Sequence, residues 1–73
     1  MSLVIYTKPN CPYCDKARSY YTENGIEFTE YDAQNDKERR KEMLEFSGGD
    51  LTVPAIVQEG EYIQSGWGEP PHG

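Results

Sequence analysis

Cysteine, histidine and basic side chains are all scarce in this 73-residue chain. The two cysteines permit a single bridge, and Cys11 and Cys14 stand so close in sequence that it would barely restrain the unfolded chain. A structural staple is therefore a poor account of the pair. Two cysteines and one histidine also fall short of the four ligands of a closed metal centre, so no metal is expected. Seven Lys and Arg against 13 Asp and Glu leave a net charge of −6. That argues against nucleic acid or an anionic membrane as partner, because both call for clustered cations. No apolar run approaches transmembrane length. The N-terminus lacks a basic stretch followed by an apolar one, so no secretory leader is expected. A lone reactive-looking pair without a leader suits the reducing cytoplasm. With 36% apolar residues the core is thin, and residues 1–73 are expected to form one small domain.

The pattern along the chain predicts β-α-β-α-β-β. Leu3-Val4-Ile5-Tyr6 is an apolar run of β-branched and aromatic type, suited to a central strand buried on both faces. From Pro12 onward Tyr13, Ala17, Tyr20 and Tyr21 recur at helical spacing, with Asn24-Gly25 as the stop. Residues 26–32 alternate as a half-buried second strand, parallel to the first across the helical crossover. Asn35 or Asp36 caps a second helix running to about Phe46, with Met43, Leu44 and Phe46 as its apolar side. Asp36 with Arg40, and Lys41 with Glu45, are spaced to pair on its solvated face. Residues 53–57 and 61–63 then read as a hairpin turning through Glu59-Gly60. Residues 66–73 carry no periodicity and form an irregular tail in which His72 has no assigned role.

The chemistry is concentrated between the first strand and the first helix, in Thr7-Lys8-Pro9-Asn10-Cys11-Pro12-Tyr13-Cys14. Two sulfurs three positions apart on a first helical turn can close into a short ring. The leading one lies among the free N–H groups at the positive end of the helix dipole, which favours its thiolate form. Pro12 fits the first helical position, where its missing N–H costs nothing. The dithiol sits at the strand end where open α/β sheets place their sites. Pro54 follows Thr52-Val53 directly ahead of the third strand, a place where a cis bond could leave the Val53 backbone open to an extended guest. Lys8 is a contact residue or a solvated loop lysine. Tyr13 belongs at the rim of the site. Tyr20 and Tyr21 read as packing, and Trp67 as either a rim aromatic over the dithiol or a lid on an exposed sheet face.

On the run from Tyr6 to Cys14, on Thr52-Val53-Pro54 and on the order of elements, the chain resembles the glutaredoxins over about residues 3–65. The Cys-Pro-Tyr-Cys form with a preceding Lys and a distant Thr-Val-Pro is far more specific than Cys-x-x-Cys alone. The resemblance implies an α/β thioredoxin-like fold with a four-stranded mixed sheet, and a cis Pro54. It implies reduction of disulfides or glutathione mixed disulfides, with Cys11 as nucleophile, Cys14 as resolving thiol and glutathione as co-substrate. Lys8, Tyr13, Thr52, Val53 and Pro54 are implied as the glutathione or substrate contacts, with Trp67 a weaker candidate. Partners would be disulfide-bearing proteins, with glutathione and glutathione reductase, or thioredoxin reductase, supplying electrons.

Two departures stand out. Where glutaredoxins usually carry Gly-Gly and a pair of acidic residues, this chain has Gln64-Ser65-Gly66-Trp67-Gly68. The final helix of the family is not expected either. The Ser65-Gly66-Trp67 run is closer to the Ser-Gly-Phe of glutaredoxin-like electron donors of ribonucleotide reductase, which draw on thioredoxin reductase. Two other classes compete: an iron–sulfur or metal carrier completed by a dimer or by glutathione, and a non-catalytic binding module with a groove at Val53 and Trp67.

Overall fold

The computed structural model describes residues 2–68, so the tail expected from residue 66, His72 included, lies outside the described residues from 69 onward. Six elements follow one another: β1 (Leu3–Thr7), α1 (Pro12–Glu23), β2 (Thr29–Asp32), α2 (Lys37–Ser47), β3 (Ala55–Gln58) and β4 (Glu61–Ser65). They form the four-stranded mixed sheet that the sequence predicts, in the order β2-β1-β3-β4. β1 runs parallel to β2, and β3 is antiparallel to both β1 and β4. The most apolar strand thus takes a central position. Its side chains alternate between faces, as a strand's must.

That alternation divides the core in two. Tyr6 joins Cys11, Cys14, Ala33, Met43, Val53, Ala55 and Val57 on one face. Leu3, Ile5 and Ile56 occupy the other, with Tyr21, Phe28 and Trp67 packed against them. α1 contributes to both: Cys14 at its start goes to the first cluster and Tyr21 near its end to the second. α2 contributes Met43, only 2% exposed, to the first. Burying a methionine of that size is worth about 2 kcal/mol, so the dithiol end rests on one of the better-filled parts of the molecule.

The structure departs from expectation in several places. β2 begins at Thr29, not at residue 26. The chain leaves α1 through Gly25 at φ +66°, and the Ile26 N–H donates to the Tyr21 carbonyl, so Ile26 is spent on closing the helix. Of the two caps expected for α2, Asp36 is the one that serves. The Asp32 carboxylate takes up the Gln34 and Asn35 N–H groups and the Asn35 amide, which holds Asn35 in the preceding turn. The ion pair on α2 is Arg39–Glu42 at 3.1 Å, one turn apart at i, i+3, in place of the two pairs expected at i, i+4. The sheet selects it: the Arg39 guanidinium lies 3.9 Å over the Tyr31 ring, and the Tyr6 hydroxyl donates to Glu42 at 3.1 Å. Phe46, expected on the apolar side, is 39% exposed. Finally, β3 starts at Ala55 and β4 runs on to Ser65, with a bulge between Ile56 and Val57.

Candidate active site

Asn10 adopts φ +58°, a left-handed turn that asparagine tolerates better than most residues, and it swings the chain from β1 into α1. Cys11 follows with extended backbone and serves as the helix N-cap, while Pro12 occupies the first helical position. The Asp15 N–H closes the first turn on the Cys11 carbonyl at 3.1 Å. The Cys14 N–H donates to the Cys11 Sγ at 3.4 Å. An N-terminal amide that elsewhere would meet a serine or aspartate oxygen is therefore aimed at sulfur, which accepts weakly when neutral and far better as a thiolate.

Both cysteines are free and buried, Cys11 at 2% and Cys14 at 0% exposure. Burial, chiefly, and a hydrogen bond to the Cys11 sulfur push the Cys14 thiol up to about 12; the Lys8 backbone and the Arg18 charge pull the other way. Cys14 is thus held as a protonated thiol.

Of the residues singled out from sequence, the fold gathers most around this pair. Val53, 4% exposed, shares the buried cluster with both cysteines, and Tyr13 packs against it half-buried. The Lys16 ammonium sits 5.3 Å from the centre of the Tyr13 ring. The Val53–Pro54 bond is cis and Pro54 is fully buried. The Thr52 N–H is already taken by the Asp50 carboxylate at 2.8 Å, and the Thr52 hydroxyl and N–H together hold that carboxyl below its usual range. Lys8 is exposed and lines a small groove of about 140 Å³ with Gln34, Arg40, Met43, Leu51 and Val53. Arg40 is the residue that sequence reasoning passed over, having assigned it to a pair with Asp36 on the wet face of α2.

Trp67 does not join them. It packs in the second cluster, with its ring 5.5 Å from Tyr20 and 5.6 Å from Tyr21. There it borders a groove of about 590 Å³ with Leu3, Tyr20, Ile26 and Ile63. Of the two expectations for Trp67, the lid on a sheet face is the one the geometry matches. The rim contact over the dithiol is not what the described contacts show, since Trp67 packs in the second cluster and the cysteines in the first.

A family profile described as Glutaredoxin matches residues 3–63. Glutaredoxin 3 of Escherichia coli K12 is 37% identical over 59 residues, which cover 81% of this chain and 70% of that protein. The solution structure of the glutaredoxin from Brucella melitensis superposes with a TM-score of 0.71 at 38% identity, covering 89% of this chain and 70% of the other. The crystal structure of the thioredoxin-like protein BC3987 superposes with a TM-score of 0.76 at 25% identity, covering 86% of this chain and 85% of its own.

Proposed function

The chain belongs to the glutaredoxin family, with its thioredoxin-like fold, and we propose from that premise that it reduces disulfides and glutathione mixed disulfides through Cys11 and Cys14. The observation that carries this reading is the Cys14 N–H directed at the Cys11 sulfur at 3.4 Å, on the first turn of α1. Cys11 is the nucleophile. Its thiolate attacks a substrate disulfide, forms a mixed disulfide and expels the first thiolate. Cys14 then attacks the Cys11 sulfur, expels the second thiolate and closes the ring. Holding the two sulfurs side by side makes this closure intramolecular, which is worth far more than any attainable concentration of free thiol.

Lys8 and Arg40, which line one groove with Val53, support an anionic substrate arm there, as in the carboxylates of glutathione. The Val53 backbone beside the buried Pro54 offers strand-like pairing to an extended peptide, and Tyr13 covers the edge. The working compartment is the reducing cytoplasm.

Reduction of hydroxyethyl disulfide, assayed once with glutathione and glutathione reductase and once with thioredoxin reductase, tests the proposal. Turnover with at least one donor, abolished by Cys11→Ser, is the expected result. No turnover with either would end the oxidoreductase reading. The donor that works identifies the electron source.

A further inference from the structure

We propose that Leu51 is a specificity-determining residue, favouring peptide disulfides with an apolar residue beside the cysteine and an acidic one beyond it. The inference rests on the oxidoreductase reading above and names the substrate class of that same site. Leu51 is 66% exposed, the most exposed large apolar side chain among the described residues. A leucine left in water is commonplace where it stands alone. Leu51 does not stand alone. It lines one groove with Lys8, Arg40, Met43 and Val53. Met43 and Val53 are buried in the cluster that holds both cysteines, so the exposed leucine continues an apolar surface that reaches the dithiol. Its backbone is also held on both sides. The Ser47 hydroxyl donates to the Asp50 carbonyl at 2.9 Å and accepts the Asp50 N–H at 3.1 Å. The Asp50 carboxylate then accepts the Thr52 N–H at 2.8 Å, bracketing Leu51 between two anchored neighbours. Covering a side chain on a backbone already fixed costs little further ordering.

The charges around the groove specify the rest of the guest. In a chain of net charge −6, two cations, Lys8 and Arg40, line it and no acidic side chain does. Neither cation takes part in an ion pair among the described residues. An anionic group is therefore the complement this groove lacks. Glutathione would bring such a group on its terminal glycine, but glycine has no side chain to lay against Leu51. A leucine-sized neighbour of the reactive cysteine covers Leu51, while an acidic residue one position further meets the cations. The substrate class that uses the whole groove is thus a peptide or protein disulfide with this apolar-then-acidic flank.

The test mixes the reduced protein with an excess of symmetrical peptide disulfides and quenches with acid. In each exchange the protein's two thiols become one ring and the peptide disulfide becomes two peptide thiols, so no other oxidant is needed. The peptides carry leucine or glycine next to the cysteine, on one side or the other, followed by glutamate. Each rate is divided by that of the same peptide with dithiothreitol, which removes differences in intrinsic reactivity. Leucine should be preferred to glycine about fivefold on one side of the cysteine. Leu51→Ser should bring that ratio close to one, and Leu51→Met should restore it. Replacing the peptide's glutamate by glutamine should slow the exchange about threefold at low ionic strength, and added salt should erase the difference. Equal rates for leucine and glycine, a preference on both sides alike, or a ratio that survives Leu51→Ser would overturn the proposal. So would indifference to the glutamate. Failure of the unmodified protein to be oxidised by any of the peptides or by oxidised glutathione would instead refute the oxidoreductase reading itself.

Discussion

Cys11 and Asp36 introduce α1 and α2 with nearly the same backbone, φ −107° and ψ 109° against φ −103° and ψ 104°. What they do with it differs. The Asp36 carboxylate accepts two N–H groups, from Glu38 at 3.1 Å and Arg39 at 3.2 Å. The Cys11 sulfur accepts one, at 3.4 Å. An aspartate cap is worth about 1 kcal/mol to a helix. A thiol fills that role poorly, so the start of α1 gives up local stability to place a sulfur at the helix terminus. The start of α2 is the same device used for folding alone. Functional sites are where such local rules are expected to give way.

Exchanging these roles is the sharpest way to probe the contrast. Cys11→Ser should abolish thiol–disulfide turnover while leaving thermal stability equal or higher by a few tenths of a kcal/mol, since serine is among the better N-caps. A steep loss of stability would show that the sulfur was needed for packing after all. Cys14→Ser is the next largest effect. It should stop reduction of protein disulfides and trap the mixed disulfide at Cys11, detectable as a mass increase, while reduction of glutathione mixed disulfides survives. Asp36→Ala should do the reverse of the Cys11 change. Stability should fall by about 1 kcal/mol, several degrees in melting temperature for a domain this small, with turnover intact. If turnover fell in step, the two helix starts would not be separable.

The smallest effect is alkaline. Cys14 is carried from 9.0 to about 12, so the fold favours its neutral thiol. Its contribution to stability is complete below pH 9 and is lost as pH rises toward 12. Tyr6, carried from 10.0 to about 12 by burial and by Glu42, acts in the same sense. Cys14→Ala keeps Tyr6, so the difference between its alkaline melting curve and that of the reduced parent isolates the thiol. Parallel curves would mean that Cys14 is not held neutral by the fold.

Much of this was legible from residue pattern. The apolar run of β1, Pro12 at the head of α1 and the cysteine spacing each carry a local rule with one outcome, and the structure follows them. Where two local partners compete, the pattern alone does not choose between them. Asn35 and Asp36 are both good caps, and Asp32, three residues ahead of Asn35, decides between them by engaging its amide at 2.7 Å. Residues 26–28 alternate like a strand, yet the Ile26 N–H is needed at the end of α1. Arg39 and Arg40 are adjacent and alike in sequence. Only the sheet separates them, drawing Arg39 onto Tyr31 and leaving Arg40 beside Lys8.

Trp67 is also the chain's sole indole, and Tyr20 and Tyr21 lie close enough to pass it excitation energy. Its emission is therefore a built-in optical gauge of the sheet face away from the sulfurs. A titrated partner that quenches or blue-shifts that signal while the dithiol still reacts at its normal rate has docked on the back of the molecule.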